Sequence, residues 1–110
     1  MMLYGSDLSP FVQRIKMQLA AKGLAYEYAP PTGGFKSDEY LAINPIGKIP
    51  CLVTDSAMSI PESEVIAEYL EEAFPKPHLR PKKAEERAQV RLITRLTDIY
   101  LSPAMGKFAV

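Results

Sequence analysis

Apolar and polar positions change their period several times along this chain, and each change marks an element. Met2-Leu3-Tyr4 is a short apolar run closed by Gly5, the pattern of a buried strand. Val12, Ile15, Leu19 and Ala20 then recur at helical spacing. Ser9 before Pro10 gives that helix an N-cap and a proline at its first position, and Lys22-Gly23 closes it. Ala25-Tyr26-Glu27-Tyr28-Ala29 alternates as a second strand, stopped by Pro30-Pro31. Strand, crossover helix and strand make a βαβ unit, whose two strands are expected to run parallel.

After the flexible Thr32-Gly33-Gly34, Ser37 can cap a short helix that runs through Ile43 and ends at Asn44-Pro45. Cys51-Leu52-Val53 reads as a strand, Asp55-Ser56-Ala57 as a turn, and Met58-Ser59-Ile60 as the returning arm of a hairpin. A helix from about Ser63 to Phe74 carries Val65, Ile66, Tyr69, Leu70 and Ala73 on one face. Pro75, Pro77 and Pro81 mark a linker. A long amphipathic helix follows from Ala84 to about Leu101, with Ala88, Leu92, Leu96 and Ile99 on one stripe and Glu85, Arg91, Arg95 and Asp98 opposite. The order βαβ, short α, ββα predicts an α/β fold with a four-stranded mixed sheet and helices on both faces. The last helix falls outside it, and the residues after it offer its stripe no partner. The pattern therefore predicts a first domain over residues 1–75, a linker over 76–82, and residues 83–110 as the start of a second, α-helical domain in a truncated chain. The alternative is that another chain covers the stripe.

Composition narrows the function classes. Lys plus Arg number 13 and Asp plus Glu number 13, a balance that argues against a general binder of nucleic acid or anionic membrane. The one cysteine, Cys51, allows neither an internal disulfide nor a multi-cysteine zinc site. The start of the chain has no basic and apolar signal-peptide pattern, and no apolar run approaches a membrane span. These features predict a cytoplasmic protein without a metal.

Three motifs carry chemistry. They are Ser9-Pro10-Phe11, followed by Arg14 and Lys22-Gly23; Asn44-Pro45-Ile46-Gly47-Lys48-Ile49-Pro50; and Glu62-Ser63-Glu64-Val65-Ile66-Ala67-Glu68-Tyr69-Leu70. Each alone is weak. Together, in this order and spacing, they resemble the N-terminal, thioredoxin-like domain of serine-type cytosolic glutathione transferases, closest to the tau-, zeta- and theta-like plant and bacterial members. The resemblance runs from Met2 to about Phe74 and continues through the linker. It implies a glutathione transferase that conjugates the glutathione thiolate to a small electrophile, with glutathione as co-substrate, no bound cofactor and a homodimeric state.

The resemblance also assigns roles, each beside a plainer one. Ser9 is by itself a helix cap; the resemblance makes it the catalytic hydroxyl that stabilises the thiolate, and both can hold at once. A hydroxyl at a helix start lies where negative charge is favoured, and a hydrogen bond from it lowers a thiol pKa. Ile49-Pro50 is by itself a proline at a strand start; the resemblance makes it a cis pair whose Ile49 backbone meets glutathione strand-fashion. Glu62-Ser63 is by itself an acidic, capped first turn; the resemblance sets the Ser63 hydroxyl and nearby N–H groups on the γ-glutamyl carboxylate and Glu62 on its ammonium. Lys36 and Lys48, otherwise solvated charges, would meet the glycine carboxylate. Cys51 reads as core and His78 as linker surface. Two rivals stay open: a non-catalytic binding or assembly module of the same fold, and a glutaredoxin-like thiol–disulfide oxidoreductase. The second would need Cys-Pro-Phe/Tyr-Cys where this chain has Ser9-Pro10-Phe11-Val12.

Overall fold

The computed structural model describes residues 1–106. The chain divides into two compact units, Met1–Pro77 and His78–Val110. In the first, β1 (Met2–Tyr4), α1 (Pro10–Ala21), β2 (Glu27–Ala29), α2 (Asp38–Ile43), β3 (Cys51–Val53), β4 (Ser59–Pro61) and α3 (Ser63–Ala73) follow in the expected order. The four strands form one sheet in the order β2-β1-β3-β4. β1 pairs parallel with β2 and antiparallel with β3, and β3 pairs antiparallel with β4. The second strand is shorter than its alternation predicts, because Ala25 and Tyr26 lie outside the ladder.

Register explains the core. Tyr28, Leu3, Leu52 and Ile60 stand side by side across the sheet. Leu3, Leu52 and Ile60 share one buried cluster with Val12, Ile15 and Leu19 of α1 and Ile66 and Leu70 of α3. Tyr4, the next residue of β1, points to the other face, where its ring meets Tyr40 of α2 edge-on at 5.7 Å. α1 and α3 thus cover one face and α2 the other. Gln18 of α1 bonds the Ala67 carbonyl of α3 at 2.9 Å, adding a polar tie within that layer. Val65 and Ala73, expected on the packed face of α3, are exposed.

Gly5 lies where β1 gives way to the loop before α1. A Cβ there would stand 2.6 Å and 2.9 Å from the two methyls of Val12 and 3.2 Å from the Tyr28 ring. Gly5→Ala is therefore expected to cost about 1–3 kcal/mol through overpacking. Urea unfolding measures it, and a cost below about 0.5 kcal/mol would show that Val12 and the loop yield freely.

The second unit holds α4 (Ala84–Leu96), a π-helical turn over Thr97–Leu101 and α5 (Ser102–Gly106). Helical structure thus runs past Leu101, where the amphipathic pattern ends. Leu92, Leu96 and Ile99 of the predicted stripe are exposed, at 58 %, 47 % and 45 %. No helix among the described residues is long and apolar enough to cross a membrane.

Candidate functional site

The register that builds the core also gathers the three motifs. Tyr4 ends β1, Cys51 opens β3 and Pro61 closes β4, and these three residues pair across the sheet. One step beyond them the chain continues as Gly5 toward Ser9, as Pro50 back to Ile49, and as Glu62 into α3. Segments far apart in sequence therefore emerge at one end of one sheet.

Ser9 adopts extended backbone, φ −87° and ψ 120°, and caps α1 with Pro10 at the first helical position. Its Oγ accepts from the Val12 N–H at 3.3 Å, so the oxygen is committed and the hydroxyl proton is not. The preceding loop is tied down by Asp7. The Asp7 carboxylate accepts from the Tyr28 hydroxyl at 2.8 Å and from Lys16 Nζ at 3.1 Å, and its backbone carbonyl accepts from Gln13 at 3.0 Å. The Tyr28 bond, then Lys16, holds the Asp7 carboxyl below its ordinary range. Burial and then the Asp7 bond push the Tyr28 phenol up to about 12, so it remains a donor. Ser6, the other hydroxyl near this turn, bonds only locally, to the Leu8 N–H at 3.4 Å.

The second motif is a loop held from inside. Tyr40 and Asn44, both buried, donate to the Lys48 carbonyl at 2.6 Å and 2.9 Å. Burial raises the Tyr40 phenol above its ordinary range, which keeps that donor protonated. Gly47 turns the loop at φ +71°, a conformation that favours glycine. The Ile49–Pro50 bond is cis. Ile49 takes part in no hydrogen bond among the described residues, so its N–H and C=O are available strand-fashion. The Lys36 and Lys48 side chains are exposed, and Lys36 Nζ reaches to 3.0 Å from the place a Gly47 Cβ would occupy. Both lysines thus belong to the surface of this loop. Cys51 just beyond is fully buried and burial pushes its thiol up, which suits a packing role.

The third motif holds what sequence reasoning missed. Glu62, not Ser63, occupies the N-cap of α3, at φ 73° and ψ 118°, and its side chain makes no capping bond. A non-glycine residue there stores strain of about 1–3 kcal/mol. Ser63 is the first helical residue and is 6 % exposed. Its Oγ accepts from Arg14 NH1 at 3.2 Å, which joins α1 to the start of α3. No local pattern announces either feature, because both arise from the docking of distant segments. Among the described residues no cluster of His, Cys, Asp and Glu could hold a metal ion.

This arrangement offers a hydroxyl proton at one helix start, a free backbone edge beside it, and an uncapped helix start with a buried hydroxyl. Such a set can receive an anionic group at the start of α3 and pair with extended backbone at Ile49. Comparison with known proteins shows the family. Residues 3–78 match the sequence profile of the glutathione S-transferase N-terminal domain. Glutathione S-transferase U6 of Arabidopsis thaliana is 39 % identical over 97 residues, covering 87 % of this chain and 43 % of that protein. Maleylacetoacetate isomerase of Rattus norvegicus is 37 % identical over 106 residues, covering 92 % and 49 %. The solved glutathione S-transferase of Methylobacillus flagellatus KT, with GSH bound, superposes with a TM-score of 0.77 at 29 % identity over 88 % of this chain and 48 % of its own. The chain thus spans about half the length of the relatives it matches. Its thioredoxin-like sheet, its three motifs and the match over residues 3–78 place it in the glutathione S-transferase family, as the N-terminal domain.

Proposed function

We propose that this chain binds glutathione and holds it as a thiolate for attack on an electrophilic carbon. The observation that carries the reading is the convergence of Ser9, Ile49 and Glu62-Ser63 at one end of the sheet. In it, the Ser9 hydroxyl donates to the sulfur and favours the charged form. Ile49 pairs with the cysteinyl backbone of the ligand. The start of α3 and Ser63 receive the γ-glutamyl carboxylate, Glu62 the ammonium, and Lys36 and Lys48 the glycine carboxylate. The sulfur lone pair forms the new C–S bond, and the electrophile either expels a leaving group or takes a proton from water. Placing the two reactants converts a bimolecular step into a positioned one. The reading extends to a small electrophile as the second substrate, a homodimer in the cytoplasm, a linker over residues 76–82 and the opening of a helical domain over residues 83–110. The GSH-bound relative supports it.

A second reading follows from the isomerase relative. There the thiolate would add to the substrate and later leave, so glutathione is recovered instead of retained in a thioether. Product analysis separates the two, and binding without turnover of either kind would favour the non-catalytic module.

Glu62→Gly tests the clamp itself. Relief of the positive-φ strain, less the entropy a glycine brings to the unfolded chain, should raise stability by about 1 kcal/mol. Loss of the carboxylate should weaken glutathione binding about tenfold. Thermal unfolding and calorimetry read the two effects, and unchanged affinity would remove Glu62 from the site.

A further inference from the structure

The bond between Arg14 and Ser63 has a direction fixed by chemistry. A guanidinium only donates, whereas a hydroxyl has one proton to give and two lone pairs to offer. Arg14 NH1 stands 3.2 Å from Ser63 Oγ, so the serine is the acceptor. Ser63 is 6 % exposed, and among the described residues nothing accepts its proton. That proton is thus left for a partner from outside the chain. A cationic donor on the oxygen also polarises its O–H bond and strengthens it as a donor. At the same helix start Glu62 provides no side-chain cap. Arg14 is itself held, since it lies over the Phe11 ring at 5.5 Å on the helix that Ser9 caps.

We infer that Arg14 is a positioning residue for the anion subsite at the start of α3. It fixes the Ser63 oxygen from behind, so that the hydroxyl presents its proton to the α-carboxylate of the γ-glutamyl group. The inference rests on the reading that Ser63 receives that carboxylate.

The test compares glutathione with γ-aminobutyryl-cysteinyl-glycine, which lacks only the α-carboxylate, by calorimetry on the protein. Arg14→Met should weaken glutathione about tenfold and leave the analogue within about twofold. In a Ser63→Ala background, Arg14→Met should weaken glutathione no further, because the oxygen it acts through is gone. Arg14→Lys, which keeps a cationic donor, should recover part of the affinity. If circular dichroism shows that Arg14→Met does not fold, Arg14→Lys carries the test, and its smaller loss must show the same dependence on the carboxylate. Equal losses for both ligands, or an undiminished loss in the Ser63→Ala background, would make Arg14 a purely structural residue and overturn the inference. So would parent-like binding by Arg14→Met while Ser63→Ala binds weakly, an outcome that leaves the Ser63 subsite standing. Parent-like glutathione binding by Ser63→Ala itself would instead remove the subsite, and the inference with it.

Discussion

Lys22→Met is expected to lower the unfolding free energy by about 3–5 kcal/mol, a large part of the stability of a small domain. The Lys22 side chain is fully buried, and each of its three protons has an acceptor. They are Glu71 Oε1 at 2.9 Å, the Phe74 carbonyl at 2.7 Å and the Pro77 carbonyl at 2.8 Å. One ammonium therefore joins the end of α1 to the end of α3 and to the start of the proline-rich segment. Removing it takes the ammonium from a carboxylate that is 8 % exposed and the donor from two backbone carbonyls. Lys22→Met with Glu71→Met should recover part of the loss, since it avoids the buried charge but still leaves the Phe74 and Pro77 carbonyls without the ammonium. Urea unfolding at fixed pH measures both variants. A cost below about 1 kcal/mol for the single variant would mean that Glu71 and the two carbonyls are satisfied without the ammonium.

The second large effect belongs to the chemistry. Ser9→Ala should raise the pKa of bound glutathione by about one to two units, the worth of a hydrogen bond to a charged group. Turnover near neutral pH should fall about tenfold or more with the thiolate fraction. The cap bond to the Val12 N–H is lost too, which should cost about 1 kcal/mol of stability. The two consequences are read separately, by titrating thiolate absorbance of the bound peptide and by thermal unfolding. Matching titrations with a lowered Tm would leave Ser9 as a cap alone. Ser9→Cys should shift the chemistry toward mixed disulfides, because it supplies the thiol that the Ser9-Pro10-Phe11-Val12 run lacks.

What could be read in the sequence follows from the range of the forces involved. Ser9-Pro10 and Ser37 announce their helices because capping is settled within one turn, and both hydroxyls do accept the expected N–H. The mixed four-stranded sheet could be read because a βαβ unit followed by a hairpin leaves few topologies, whereas the order β2-β1-β3-β4 came from the pairing of β1 with β3. Glu62 was legible as a motif but not as a strained residue, since its positive φ is imposed by the way β4 hands the chain to α3. Arg14 sat inside a recognised motif, yet its partner lies on another helix and only the packing of α1 on α3 pairs them. Lys22 was misleading in a different way. Its place before Gly23 suggested an ordinary helix end, and lysines are seldom buried, so nothing local pointed to an ammonium at the centre of three acceptors.

The Lys48 carbonyl has a consequence for how this protein can diversify. Tyr40 and Asn44 fill both acceptor sites of that oxygen, so the loop is anchored by its neighbours and owes nothing to its own side chain. That side chain stands in solvent. Position 48 is therefore interchangeable hardware on a fixed mount. A single codon change can remove, reverse or lengthen the charge offered there while the loop keeps its shape, so under the role proposed for Lys48 preference among peptide C-termini can drift without endangering the fold.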